Sequence, residues 1–139
     1  MRPKFFKGGI SCDHRGCVSF NNNLILNKIK RFYLVENKKK NFIRAWHGHK
    51  IEAKYIFCIR GKAKISAVKI NNFKKPLKKS KVYSWILDSK IPDVIYIPPG
   101  YANGSKSLTK DMKLMVFSTT LLTKSLNDDY RFPKEYWKI

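Results

Sequence analysis

The chain has 139 residues and carries 30 Lys and Arg against 9 Asp and Glu, a formal net charge of +21 with a sequence pI near 10.1. One domain fits that length, and a content of 43% hydrophobic and 14% aromatic residues excludes a disordered chain. No apolar run approaches the roughly 20 residues that span a bilayer, no signal peptide is expected from residues 1–9, and three cysteines (Cys12, Cys17, Cys58) are too few for a disulfide framework, which points to the reducing cytoplasm.

Along the chain, short apolar runs with alternation recur every eight to twelve residues. Rich in Val, Ile, Phe and Tyr, they predict strands over 28–36, 53–60, 62–70, 82–87, 94–97 and 113–120. Gly61, Asn71-Asn72, Pro76, Pro92 and Pro98-Pro99-Gly100 break them. Before residue 121 no segment holds a 3.6-residue apolar period, and only 125–137 has room for a helical turn or two. The pattern is all-β, a sandwich or a barrel.

The charge invites a nucleic-acid reading, since a basic excess attracts any phosphate. The cations are mostly Lys, however, and Asn and Ile are abundant too, as an AT-rich coding sequence would produce. Lys38-Lys39-Lys40, Lys74-Lys75 and Lys78-Lys79 sit beside Asn or Pro and read as solvated loop tips. A nucleic-acid partner is therefore not expected, whereas an anionic ligand is.

Two of the three histidines fall together, in Arg44-Ala45-Trp46-His47-Gly48-His49-Lys50-Ile51-Glu52-Ala53-Lys54. On a strand, His47 and His49 share a face, because side chains alternate with period two. Glu52 would face the other way on the same strand. Charged and titratable residues thus interrupt an otherwise apolar sequence at one place.

This segment resembles the first motif of the cupin superfamily, H-x-H followed by a Glu and then Gly, here His47, His49, Lys54 and Gly61. The second cupin motif, P-x-G-x-x-H, is similar to Pro98-Pro99-Gly100-Tyr101-Ala102-Asn103. Two of the four metal-ligand positions are then Lys54 and Asn103. An ammonium repels a divalent metal and Asn binds zinc or iron weakly, so no metal or other cofactor is expected.

The same substitutions resemble the metal-free sugar-nucleotide cupins typified by dTDP-4-dehydrorhamnose 3,5-epimerase. Their D-x-R-G appears as Asp13-His14-Arg15-Gly16, their R-G-x-H and Lys as Arg44 to His47 and Lys54, and their P-x-G-[FY]-A-H-G as Pro98 to Gly104. The dTDP-4-keto-6-deoxyhexose 3,4-ketoisomerases are similar as well, through Arg44 to His49, Lys30-Arg31-Phe32-Tyr33 and Asp128-Asp129-Tyr130-Arg131. The resemblance implies one cupin domain over 1–139, a double-stranded β-helix or jelly-roll barrel. It also implies a homodimer formed through the N-terminal strands and a nucleotide-linked 4-keto-6-deoxy sugar as substrate, destined for surface polysaccharide.

Family likeness assigns the roles. His47 is the base that removes a proton beside the ketone, Lys54 stabilises the enolate, and His49 is a second acid-base group. Arg15 and Arg44 are candidates for the diphosphate, Tyr101 for stacking, and Asn103 for substrate binding. For Lys54 to join His47, a turn must separate His49 from a new strand near Ala53. The family's acid Tyr falls on Leu121 or Leu122 here, so that acid is missing. Asp128 and Asp129 are candidates for the carboxylate that orients the family's base, but their surroundings read as a surface turn. Cys58, Trp85 and Trp137 are expected to pack in the core, and His14 to sit exposed in a turn.

Overall fold

A computed structural model describes residues 1–139. Alternation of apolar and polar side chains resolves into twelve strands and one short helix: β1 (Lys4–Phe6), β2 (Gly9–Asp13), β3 (Gly16–Phe20), β4 (Arg31–Glu36), β5 (Ile43–His49), β6 (Lys54–Arg60), β7 (Lys62–Lys69), β8 (Val82–Asp88), β9 (Val94–Ile97), β10 (Tyr101–Ser107), β11 (Lys113–Ser118), α1 (Leu122–Leu126) and β12 (Tyr130–Arg131). Ten strands form two five-stranded sheets, ordered β1-β9-β6-β11-β4 and β12-β5-β10-β7-β8, while β2 and β3 make a separate hairpin. Every pairing is antiparallel. This is the jelly-roll barrel that the motifs implied.

Packing follows directly from the pattern. In β4, Tyr33 and Val35 pack against the interior while Phe32, Leu34 and Glu36 face out. The barrel core joins Ile56, Ala63, Ile65, Leu87, Ile95, Leu114 and Val116 from both sheets. Gly61 makes the tight β6–β7 turn at φ +70°, where a Cβ would lie 2.0 Å from Thr109 Oγ1, so only glycine fits. Cys58 is buried as expected, and burial pushes its thiol up to about 11. Trp85 packs against the same core.

A second apolar cluster lies outside the barrel. Trp46, fully buried, meets Trp137 edge-on at 5.5 Å, and its indole N–H donates to the Trp137 carbonyl. The C-terminal segment is thereby fastened onto the back of β5, the strand that carries both histidines.

Three expectations need correction. The tail does not hold its helix at 125–137: α1 ends at Leu126, and β12 then pairs with β5, because Tyr130 and Arg131 add a strand to an open sheet edge. The cysteines do not all stay reduced. Cys12 and Cys17 are direct cross-strand partners in the β2–β3 hairpin and form a disulfide, so their number no longer speaks for a reducing compartment. Nor does Asp128 lie at the surface: it is 4% exposed, whereas Asp129 is exposed in the loop before β12. No helix is long and apolar enough to cross a membrane.

Candidate active site

The barrel interior opens into a cavity of about 290 Å³. Its inner wall is apolar, with Ile56, Ile65, Leu114 and Val116, and its polar side gathers Tyr33, Arg44, His47, His49, Lys54, Asn103, Asp129 and Arg131. Of the residues singled out from the sequence, His47, His49, Lys54, Arg44 and Asn103 line this one cavity. Tyr101 does not: it is buried in the barrel core, beyond the lining. Arg15 does not either. It stands on the exposed hairpin, paired with Asp13 at 2.6 Å.

The turn required between His49 and Lys54 is present. β5 ends at His49 and β6 begins at Lys54, so strand alternation is interrupted and Lys54 enters on the histidine side. Asp128 holds this turn. Its carboxylate, 4% exposed, accepts the backbone N–H groups of Lys50, Ile51 and Glu52 at 2.7, 2.8 and 2.9 Å. Three convergent N–H donors satisfy a buried anion, which is why Asp128 is stable away from water. Opposite β5, Asn103 lies in register with His47 and donates its amide to the His47 carbonyl at 3.0 Å.

Electrostatics set the protonation states. Burial is the main cause that lowers His47 to about 4, and the cations of Lys54 and Arg131 add to it. At neutral pH His47 is an uncharged imidazole, able to accept a proton. Asp129 lies 4.0 Å from its Nδ1, beyond hydrogen-bond reach. Burial likewise lowers the Lys54 ammonium, and the carboxylate of Glu52 opposes that shift. Tyr33 is raised to about 12, by burial first and then by Glu52, so its hydroxyl stays a donor.

Several site groups escaped the sequence reading. Leu121 and Leu122 are exposed and supply no acid, but Tyr33 brings a phenol into the cavity from β4. The inward alternation of β4 was the signal that could have found it. Arg131 and Asp129, in the run similar to the ketoisomerases but given no firm place in the site, arrive through β12 and the loop before it. Glu52 is the largest surprise. Strand periodicity turned it away from the histidines, yet it is 2% exposed and lies 3.2 Å from His49 Nδ1, because it sits in the turn and not on a strand. Nowhere do three His, Cys, Asp or Glu side chains converge as a metal-holding group.

A jelly-roll barrel with two histidines and a lysine facing one internal cavity defines a cupin-type pocket protein. Residues 9–138 match the family model described as FdtA: WxcM-like, C-terminal, and the chain belongs to that family. No curated protein matches it. Among solved structures it is similar to QdtA, a sugar 3,4-ketoisomerase from Thermoanaerobacterium thermosaccharolyticum solved in complex with TDP, at 21% identity and TM-score 0.70, covering 97% of this chain and 91% of that one. A 3,4-ketoisomerase from Helicobacter canadensis is similar at 22% identity and TM-score 0.70, covering 98% and 95%. The rmlC epimerase of Mycobacterium tuberculosis reaches TM-score 0.76 at 17% identity, covering 94% and 68%. The shared barrel is what these likenesses show.

Proposed function

We propose that the chain is a metal-independent isomerase of a nucleotide-linked 4-keto-6-deoxy sugar, an epimerase or a 3,4-ketoisomerase. The observation that carries this reading is a neutral imidazole, His47, placed in one cavity with a buried ammonium, Lys54. A ketone acidifies the hydrogens on its neighbouring carbons. His47 takes such a proton, and the negative charge that develops on the carbonyl oxygen is met by Lys54 and the Tyr33 hydroxyl. Arg44 and Arg131 stand among the lining residues as cations for the diphosphate. The metal-free assignment is supported by an ammonium and an amide at the two altered ligand positions. The compartment that goes with such a substrate is the cytoplasm, and the product would feed surface polysaccharide.

The test is incubation with dTDP-4-keto-6-deoxyglucose in heavy water, followed by NMR. Deuterium is expected at a carbon flanking the ketone; its position, with the product's stereochemistry, separates epimerase from ketoisomerase. A ligand-induced thermal shift with neither wash-in nor a new sugar would instead identify a binding cupin without turnover.

A homodimer is part of the same proposal. The outer face of the β1-containing sheet carries Phe32 at 62% exposure, Leu34 at 46% and Ile59 at 40%, with Phe57 stacked on Phe117 at 6.0 Å. Adjacent to one another on β4, β6 and β11, these side chains form an apolar face that a second copy would bury. The hairpin, with Ile10, Val18 and Phe20 exposed, is the arm through which Arg15 would reach the partner. Light scattering is expected to give twice the chain mass for the natural protein and a single chain mass for Phe32→Lys. A natural protein that runs as a monomer would remove the dimer.

A further inference from the structure

Glu52 is a buried carboxylate for which the mechanism above has no use. One oxygen accepts from Arg31 Nη2 at 3.0 Å and from the Ser118 hydroxyl, and the other accepts from the Ser125 hydroxyl at 3.0 Å. The second oxygen also lies 3.2 Å from His49 Nδ1. That same nitrogen is 2.6 Å from the backbone carbonyl of Asp128. A carboxylate and a carbonyl can only accept, so Nδ1 must carry the ring proton. Nε2 of the neutral ring is then a lone pair, and it is buried without a partner in the protein. Buried polar atoms are seldom left so, and His49 belongs to the cavity wall.

We propose that Glu52 is a positioning residue, which, with the Asp128 carbonyl bonded to Nδ1, favours the Nδ1–H form of His49 and the charge that the ring gains, so that Nε2 accepts the proton of a sugar hydroxyl while His47 handles the proton on carbon. This rests on the isomerase reading. In a shift of the ketone to the next carbon, the C–H proton passes to His47 and returns to the carbon that bore the ketone. The hydroxyl proton passes to His49 Nε2 and returns to the former carbonyl oxygen. The C–H electron pair forms the enediol double bond, the carbonyl pair closes onto oxygen, and the reverse movement regenerates a ketone, with no gain or loss of electrons. While His49 holds the extra proton it is an imidazolium, and the Glu52 charge beside Nδ1 stabilises it, as a carboxylate does for the histidine of a hydrolytic triad. The other charged and titratable groups around His49 are Lys54 on β6, which opposes that charge, and His47 on the same strand; Asp128, beyond α1, favours it.

With only three histidines in the chain, ring 15N spectra are resolvable. In the ligand-free protein, long-range 1H–15N correlation should show His49 as the Nδ1–H tautomer, and Glu52→Gln should lower the pH at which that ring titrates. An Nε2–H tautomer, or an unchanged titration in the variant, overturns the proposal whether or not any sugar is turned over. If the dTDP sugar is a substrate, E52Q should lower kcat roughly tenfold or more with KM within about twofold. In a His49→Gln background the same change should have no further effect, since Glu52 acts through that ring. Equal losses in both backgrounds would mean a merely structural role. Should E52Q not fold, Glu52→Asp, whose carboxylate stands one methylene further from Nδ1, is read in its place: a lowered His49 titration supports the proposal and an unchanged one overturns it.

Discussion

His47→Asn is expected to slow deuterium wash-in by about 10²–10⁴-fold, the contribution of a positioned general base, with little change in KM. Asparagine keeps a polar side chain of similar reach but has no lone pair basic enough to take a carbon-bound proton. Because His47 is lowered to about 4, the natural protein should lose its base only as pH falls toward that value, not near 6.5. Stability carries the same signature with a worked sign. The unfolded chain protonates this histidine from pH 6.5 downward while the folded chain resists until about 4, so stability present at pH 7 is lost across that window. H47N should show a smaller drop in melting temperature between pH 7 and pH 4.5, measured by circular dichroism. Full wash-in activity in H47N would remove His47 as the base.

Lys54→Met should cost about 10²–10³-fold in kcat, the range for removing one donor that stabilises a developing oxyanion. The fold should tolerate the change. Lys54 is 8% exposed, and desolvation is the largest influence on its ammonium, so an apolar chain of similar length is easier to bury. Glu52 would keep Arg31, Ser118 and Ser125 as partners. A melting temperature equal to or above that of the natural protein is therefore expected beside the loss of activity. The acid limb of the rate should also move upward, because Lys54 is one of the cations that depress His47. A variant that kept its rate, or whose acid limb moved downward, would contradict this role.

Much of the barrel was readable from one-dimensional pattern. Val94–Ile97 matches its prediction residue for residue, and Lys54–Arg60, Lys62–Lys69 and Val82–Asp88 begin or end within one residue of theirs. Period-two alternation and Pro or Gly breakers are local properties, so these strands announce themselves, whereas β1, β2, β3, β10 and β12 carry no such apolar run and were not predicted. The H-x-H pair and Lys54 were readable for the same reason, once the turn between them was granted. Glu52 was misplaced because periodicity was extended across that turn. Tyr101 was assigned to the ligand because its motif borders the pocket, but motif membership does not say how deep in the barrel a ring lies. Asp129 and Arg131 meet the site only through pairing of β12 with β5, a contact between residues far apart in sequence. Cysteine counting failed for a related reason: a small number of cysteines says nothing of the hairpin register that sets Cys12 against Cys17.

The anchoring of the 50–52 turn by Asp128 bears on when the pocket comes into being. Its hydrogen bonds span 76 to 78 residues. At a synthesis rate of about 5–20 residues per second, the carboxylate emerges roughly 4–15 s after the turn it must hold. β5, β6, β7 and β10 are all made before it, so the barrel wall precedes the completed pocket. A nascent chain can therefore possess the scaffold while its histidine and lysine still lack a fixed arrangement, and the last dozen residues convert a shell into a site.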